Sequence, residues 1–328
     1  MEMDIQKNHR RKKIMLILLV FISVWISFGM AELILRAFYA QHYSIIADEK
    51  HLSYGHDDEL GWFPVKNSQK GLKVTRKIIY THNSKGFRDI EHGEKRKPRI
   101  LFIGDSFVWG YDVAQEERFT EKLRELMPHW DILNCGVSGY GTDQEYLLLR
   151  KYFDEFMPDI VFLIFCQKND IADNSSNVIN GGYFKPYFVK VDGKLVLQGV
   201  PCPKSIHYFY MKHPLLLKSI LIRAVVFQYY RLTLPQPVHV VDPTLEIILA
   251  MNHFVVSKGA IFFIGLEDQN EQLEDFLNRH HIASVQLKNS YTIPFERGSH
   301  WTADGHKYVS KKIYDFFKKR MVNNKLDR

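Results

Sequence analysis

Residues 100–110 read ILFIGDSFVWG, an apolar run that stops abruptly at Gly104, Asp105 and Ser106. Further short apolar runs follow along the chain, namely DILNC (131–135), DIVFLIF (159–165), AIFFIG (260–265) and IASVQL (282–287). Strands that are buried on both faces have such runs, and they are typical of parallel sheets. The runs therefore predict a parallel sheet whose first strand ends at Gly104.

Amphipathic helical patterns separate these runs. They are TEKLRELM (120–127), TDQEYLLLRKYFDEF (142–156) and PTLEIILAMNHFVVSKG (243–259), with stop signals such as Pro128 and Gly259. Strands that alternate with helices indicate an α/β fold. We predict a three-layer, flavodoxin-like, doubly wound parallel sheet, with the functional site at the carboxyl ends of its strands.

Composition divides the chain into four predicted parts. Residues 1–13 form a basic cytoplasmic tail, 14–36 a transmembrane anchor, 37–95 an extension with a β-hairpin in LKVTRKIIYTHN, and 96–320 the α/β domain. An insertion at about 171–240 interrupts that domain. It contains the helical stretch HPLLLKSILIRAVVFQYY (213–230), which we interpret as core in preference to a lid or substrate platform.

The predicted anchor is an uncharged run of 18 residues, Ile14 to Ala31, that follows the basic cluster HRRKK (9–13). Eighteen residues reach the lower limit for spanning a bilayer, and the basic cluster predicts a cytoplasmic N-terminus. A cleaved signal peptide is the alternative, because Gly29 and Ala31 are small. We favour a retained single-pass anchor in the inner (cytoplasmic) membrane, with the catalytic domain on the extracytoplasmic, periplasmic side.

Composition also argues against several classes of protein. The 328 residues are 46% hydrophobic and 25% charged, as in globular proteins, and many of the basic residues behind the net charge of +7 lie near the two termini. We therefore predict no nucleic-acid partner. The three cysteines, Cys135, Cys166 and Cys202, form neither a disulfide framework nor a ligand pattern, so we predict no metal and no cofactor. Cys135 and Cys166 end apolar strands and are interpreted as small buried hydrophobes.

Polar and small residues follow the first three predicted strands. Ser106 follows the first strand, Gly136 and Gly139 follow the second, and Asn169 follows the third. Glycine lets a backbone N–H point into a cleft, and asparagine is a neutral donor that can hold a developing oxyanion. Taken singly, each residue also fits a helix cap or a turn.

A histidine stands near the C-terminus in RGSHWTADGHKYVSKKIYDFF (297–317). Thr302 is a plausible N-cap for the last helix, which leaves His300 in the loop before it. A histidine there could reach the first strand's carboxyl end and act as a general base. His306, with Asp304 two residues before it, is the alternative base.

In this order, the four residues resemble the SGNH (GDSL-type) esterase family, and specifically its membrane-anchored bacterial members, from about Arg99 to Phe317. The matching stretches are GDSF, NCGVSGYGT, QKND and HWTADGH. The resemblance implies that Ser106 is the nucleophile, that Gly139, in preference to Gly136, and Asn169 complete the oxyanion hole, and that His300 is the base. Asp105 is interpreted as an acceptor that stabilises the turn.

Two positions depart from the family pattern. Gln167 stands where the family has a glycine, and Arg297 stands where it has the aspartate that orients the histidine. Three explanations for Arg297 stay open: a serine–histidine dyad that uses a backbone carbonyl, a pseudoenzyme, or a substitute carboxylate. The candidates for that carboxylate are Glu296, Glu267 and Asp268.

The resemblance implies a serine esterase or deacylase that hydrolyses a carboxylic ester through an acyl-serine intermediate. The expected partner is an ester or acylated-glycan substrate, with O-acetyl groups on exported glycans as one candidate. An O-acyltransferase that acts on exported polysaccharide, and a catalytically impaired glycan-binding or assembly protein, are the alternatives. A nucleotide binder is disfavoured because a phosphate-cradling glycine loop is missing.

Overall fold

The structure is a computed structural model, and it describes residues 2–44, 53–73, 75–179, 182–295 and 298–322. The chain divides into two compact units. One unit contains residues 1–46 and 206–234, and the other contains residues 47–205 and 235–328.

The helices and strands follow in chain order. The α-helices of the described residues are α1 (Glu2–Phe38), α2 (Ser106–Trp109), α3 (Phe119–Leu126), α4 (Thr142–Phe156), α5 (Gln167–Asn174), α6 (Ile206–Lys212), α7 (Ile220–Thr233), α8 (Thr244–Ser257), α9 (Glu271–Arg279) and α10 (Ala303–Val322). The strands are β1 (Tyr54–Asp57), β2 (Gly61–Pro64), β3 (Gln69–Lys73), β4 (Lys77–Thr81), β5 (Arg99–Gly104), β6 (Asp131–Asn134), β7 (Ile160–Phe165), β8 (Val178–Ile179), β9 (Tyr183–Phe184), β10 (Tyr187–Val191), β11 (Lys194–Gln198), β12 (Ile261–Leu266), β13 (Ala283–Gln286), β14 (Thr292–Phe295) and β15 (Gly298–Trp301).

The five apolar runs form one parallel sheet in the larger unit. Its strand order is β13-β12-β7-β5-β6, and every neighbouring pair is parallel. Counted along the chain, this is the 2-1-3-4-5 order of flavodoxin-like doubly wound sheets. The predicted α/β fold class is confirmed, and β3 and β4 form the predicted antiparallel hairpin ahead of the sheet.

The sheet is buried on both faces, as its uninterrupted apolar runs predict. Every residue of β5 and β7 is buried. Ile100 and Phe102 belong to a core cluster that includes residues of α3 and α10, while α4 contacts β5 and α8 contacts β12. Strands β5 and β7 are therefore inaccessible along their length, and functional groups can be presented only where these strands end.

Helix α1 dominates the smaller unit. Its segment Gln6–Phe38, 33 residues long, is long and apolar enough to cross a membrane, and its most apolar part is not buried at all. Leu16 and Leu19, for example, are 64% and 62% exposed. Such a helix is consistent with an anchor or with a signal sequence.

The interpretation of the helical stretch 213–230 as core is wrong. Val225 and Tyr229 of this stretch are each 62% exposed, and Leu215 is 75% exposed. The physical reason is that this stretch belongs to the same unit as α1 instead of filling the sheet core.

A buried ion pair joins α4 to the loop between β9 and β10. The ammonium of Lys185 donates to the carboxylate of Asp143, and both side chains are completely buried. Lys185 also donates to the carbonyl of Pro186 at 3.1 Å. Burial raises the pKa of Asp143, although the Lys185 charge opposes this effect.

We expect Lys185→Met to lower the free energy of unfolding by about 3–5 kcal/mol, because it leaves a buried carboxylate without its counter-charge. Urea unfolding in detergent measures the change. The matched control is Lys190→Met, whose ion pair with Glu246 at 2.6 Å has a side chain that is 55% exposed. This control should cost no more than about 1 kcal/mol. Equal losses in the two variants would contradict the expectation.

Candidate active site

The turn after β5 presents Ser106 at the carboxyl end of the sheet. Gly104 is required there, because a Cβ on it would lie 2.5 Å from Cγ2 of Val108 and 3.0 Å from the carbonyl oxygen of Ile164. Asp105 is the N-cap of α2, and its Oδ1 accepts the Phe107 N–H at 2.9 Å. Ser106 is the first residue of α2. Its position is therefore fixed by the close packing around Gly104 before it and by the Asp105 cap of α2.

The structure brings His300 to Ser106 across 194 residues of sequence. The Ser106 hydroxyl and Nε2 of His300 lie 2.7 Å apart. His300 lies on β15, which pairs with β14 so that His300 faces Ile293. The sequence predicts a loop at His300, but this residue lies on a short hairpin strand that ends just before Thr302. The Thr302 hydroxyl caps α10 by accepting the Gly305 N–H at 3.1 Å.

Two aromatic rings contact the imidazole of His300. The ring centre of Phe107 is 5.1 Å away and that of Tyr111 is 4.6 Å away, with tilts of 31° and 32° between the ring planes. Burial, and then the positive charge of Lys168, lowers the pKa of His300 to about 4. The imidazole is thus neutral at physiological pH and able to accept a proton.

Asn169 reaches the same turn from the end of β7. Its side-chain Nδ2 donates to Oδ2 of Asp105 at 2.9 Å. The same Oδ2 lies 3.5 Å from the Ser106 hydroxyl. Because an amide nitrogen carries two protons, one N–H of Asn169 remains for a substrate oxygen. Asp105 is therefore an acceptor, as predicted, and it also orients Asn169.

The loop after β6 contains the two candidate glycines. The Gly136 N–H donates to Oδ1 of Asn134 at 3.1 Å, and the Ser138 N–H donates to the Tyr54 hydroxyl at 3.3 Å. Gly139 has a φ of 77°. Within the described residues, neither the Gly139 N–H nor the Ser106 N–H donates a hydrogen bond. The loop therefore leaves the Gly139 donor available, whereas the Gly136 donor is occupied.

The candidate substitutes for the missing aspartate have different surroundings. Oε1 of Glu267, a buried residue, lies 3.4 Å from the Lys168 ammonium, which is also 3.3 Å from the hydroxyl of Ser299 beside His300. Asp268 pairs with Lys288 at 2.8 Å. Glu296 and Arg297 lie outside the described residues. Glu267 and Asp268 are thus held by lysines, and Glu267 is linked to the His300 hairpin through Lys168.

His306, the alternative base, is a core residue. It is only 1% exposed, and its Nδ1 accepts the Phe119 N–H at 3.2 Å. Its ring stacks on that of Phe119, with 6.0 Å between ring centres and 4° between planes. Burial, followed by the charges of Arg118 and Arg88, lowers the pKa of His306 to about 3. This environment gives His306 a role in packing.

We expect His306→Asn to reduce the pH dependence of the free energy of unfolding at acidic pH. The unfolded histidine titrates near 6.5 and the folded one near 3, so between these values the unfolded chain binds an extra proton and stability rises with pH. Asparagine keeps an acceptor for the Phe119 N–H and does not titrate. The slope of unfolding free energy against pH should fall by up to about 1.4 kcal/mol per pH unit. Urea unfolding at several pH values measures it, and an unchanged slope would contradict the assigned pKa.

Sequence reasoning missed several contributors to this site. Phe107, Tyr111 and Lys168 surround His300 or its hairpin, and the bond from Asn169 to Asp105 links two strand ends. Phe107 and Lys168 are immediate neighbours of predicted site residues, which is the one signal that could have drawn attention to them. The ring contact of Tyr111 depends on the course of the turn after α2.

Comparison with known proteins yields structural neighbours alone. No family model matches the chain. No curated protein sequence matches it either. Among solved structures, a member of the lipolytic protein G-D-S-L family from Veillonella parvula matches with 15% identity and a TM-score of 0.40, covering 67% of this chain and 98% of that one.

Two further neighbours have similar values. The psychrotrophic esterase EstA from a Pseudoalteromonas species has 12% identity and a TM-score of 0.41, covering 70% of this chain and 100% of its own. A carbohydrate acetylesterase family member from Sinorhizobium meliloti has 12% identity and a TM-score of 0.39, covering 68% and 98%. At such scores the likeness assigns no role to any residue of this chain.

Proposed function

We propose that the protein is a serine ester hydrolase in which Ser106 is the nucleophile and His300 the general base. The observation that carries this proposal is the distance of 2.7 Å between the Ser106 hydroxyl and Nε2 of His300 at the carboxyl end of β5. A serine with an adjacent base is the arrangement that activates a hydroxyl for acyl transfer. The candidate oxyanion donors, Gly139 and Asn169, follow the two strands that flank β5.

The reaction proceeds in two halves. His300 takes the hydroxyl proton while the Ser106 oxygen attacks the ester carbonyl, and the tetrahedral oxyanion is held by backbone N–H groups of Ser106 and Gly139 and by the Asn169 amide. The imidazolium then gives its proton to the leaving alkoxide, which leaves an acyl-serine. Water, deprotonated by His300, attacks the acyl group, and Ser106 regains its proton as the carboxylic acid departs.

The surroundings of His300 suit the cationic stage of this cycle. An imidazolium at this partly buried position has lost much of its water and lies near the Lys168 charge, which is why the pKa of His300 falls to about 4. Aromatic faces offset part of this cost by attracting a cation. Tyr111 and Phe107 are positioned for that effect, and they also restrict rotation of the ring.

The test uses the full-length chain in detergent with p-nitrophenyl acetate as substrate. We expect a burst of p-nitrophenol followed by steady turnover, and covalent labelling of Ser106 by a fluorophosphonate probe. Adding an oligosaccharide acceptor shows whether a sugar hydroxyl can replace water in the second half. A wild-type chain that is neither labelled nor active would overturn the proposal and favour a binding protein.

We expect Tyr111→Leu to lower kcat by about 30-fold, since ring contacts and cation attraction are each worth about 1 kcal/mol and together about 2 kcal/mol. The matched control is Tyr111→Phe, which keeps the ring contact with His300 and should stay close to wild type. Steady-state kinetics with p-nitrophenyl acetate measures both variants. Equal activity of the leucine and phenylalanine variants would show that the ring does not support the imidazole.

We also propose that α1 is a retained anchor, with the basic tail in the cytoplasm and the larger unit exported. An exposed apolar run that directly follows a basic cluster within the same helix supports this topology.

A further inference from the structure

Helix α7 is attached to the end of the apolar run of α1 by a carboxylate. Glu32 accepts hydrogen bonds from the Ser219 hydroxyl at 2.8 Å and from the backbone N–H groups of Ile220 and Leu221 at 3.1 and 2.9 Å. Arg36 adds a bond to the carbonyl of Lys218 at 3.0 Å. Glu32 thus caps the N-terminus of α7, where a negative charge is favourable.

A second set of contacts follows one turn along α7. Arg223 donates to the carbonyl of Tyr43 at 2.8 Å. The ring of Phe227 lies 5.7 Å from that of His42 and 5.8 Å from that of Tyr43, measured between ring centres. Helix α7 is therefore fixed against residues 32–43, which directly follow the uncharged run from Ile14 to Ala31.

The side of α7 away from these contacts carries exposed apolar residues. Val225, Tyr229 and Leu232 are 62%, 62% and 74% exposed, and their spacing of four and three residues puts them on one helix face. We call these three residues the exposed stripe. In the turn before α7, Leu215 and Leu216 are 75% and 48% exposed. Apolar groups grouped in this way mark an interaction surface.

We propose that the exposed stripe lies in the interface of the lipid bilayer beside α1, so that segment 206–234 is a second, interfacial attachment of the chain. The proposal rests on the anchor proposed above. Its basis is continuity: Glu32, which caps the N-terminus of α7, is the first charged residue after the apolar run, so α7 begins where that run ends. At 14 residues α7 spans about 21 Å, too short to cross a bilayer but suited to lie in its surface.

The composition of the segment also fits lipid better than a protein partner. Tyrosine favours the headgroup level, and lysine and arginine pair with lipid phosphates. Tyr229 belongs to the exposed stripe, and Lys212, Lys218 and Arg231 are exposed in the same segment. The sequence of segment 206–234 contains lysine and arginine but no acidic residue. Its positive charge therefore favours contact with an anionic lipid surface.

The experiment places a fluorescent nitrobenzoxadiazole label at single positions of the full-length chain in phosphatidylcholine vesicles. The labelled variants are Val225→Cys and Leu232→Cys in the exposed stripe, Arg231→Cys as the matched control on another face of α7, and Leu19→Cys on α1 as the reference for the anchor. The native cysteines Cys135, Cys166 and Cys202 are buried and can stay in place. Lipids that carry a nitroxide on the acyl chain then quench any label that lies within the bilayer.

We expect quenching at positions 225 and 232 to be several-fold greater than at position 231. Quenching at position 19 without quenching in the exposed stripe would overturn the proposal and leave the anchor intact. Labels in the stripe that are shielded from aqueous iodide but not quenched by nitroxide lipid would overturn it in favour of a protein partner. Lack of quenching at position 19 would overturn both anchor and interfacial segment. Hydrolysis of p-nitrophenyl acetate by the same variants reports separately on the proposed activity.

Discussion

Replacing Ser106 by alanine is expected to lower kcat for p-nitrophenyl acetate by at least about 10⁴-fold, because no other group can form the acyl intermediate. The hydroxyl lies 2.7 Å from Nε2 of His300, and alanine removes it without disturbing Asp105, which caps α2 through its own carboxylate. The fold should therefore persist, and the burst of p-nitrophenol should vanish together with fluorophosphonate labelling. Stopped-flow and steady-state kinetics measure both phases.

The matched control for this experiment is Ser257→Ala. Ser257 lies exposed at the end of α8, and its hydroxyl bonds only to the carbonyl of Phe254, so far as the described residues show. This variant should keep wild-type rates. If Ser106→Ala keeps the burst as well, the acylated nucleophile is another residue.

The sheet could be predicted from the sequence because a strand that is buried on both faces has a continuous run of apolar residues. The predicted run 131–135 became β6 at 131–134, and the run 260–265 became β12 at 261–266. Helix α4 coincides with the predicted stretch 142–156. In such strands each residue needs an apolar environment, so the pattern alone identifies them. The apolar runs do not fix the order of the strands, because doubly wound sheets occur with more than one order; the structure has 2-1-3-4-5.

The proximity of the site residues could be predicted only in part. Residues at the ends of parallel strands meet by topology, which is how Ser106 and Asn169 come to share Asp105. The ring contacts of His300 depend on how the chain runs through the turn after α2 and through the hairpin of β14 and β15, and neither path has a sequence pattern of its own.

The smaller unit shows the opposite case. An apolar helix has the same composition whether it fills a core or faces lipid, so composition alone cannot place the stretch 213–230. The two cases differ in the element against which the helix packs. Glu32 of α1 caps α7 across 187 residues of sequence. In the sequence, this glutamate looks like an ordinary charged residue at the end of a hydrophobic run.

Replacing His300 by glutamine is expected to lower kcat by about 10⁴-fold, since an amide can bond to the Ser106 hydroxyl but cannot accept its proton. When two residues act in the same step, removing either one already abolishes that step. The double variant Ser106→Ala/His300→Gln should therefore be no slower than either single variant. The matched control is His306→Asn, which removes the alternative base and should stay within a few-fold of wild type. A large loss in His306→Asn with little loss in His300→Gln would identify His306 as the base.

The pH profile of kcat/KM tests the same assignment without a substitution. The base works only when neutral, and burial lowers the pKa of His300 to about 4, so kcat/KM should stay level on acidification from neutral pH and fall only as that value is approached. Circular dichroism at each pH separates loss of the base from unfolding. A fall centred near 6.5, the ordinary value for histidine, would show that the imidazole beside Ser106 remains hydrated, which would contradict its burial against Phe107 and Tyr111.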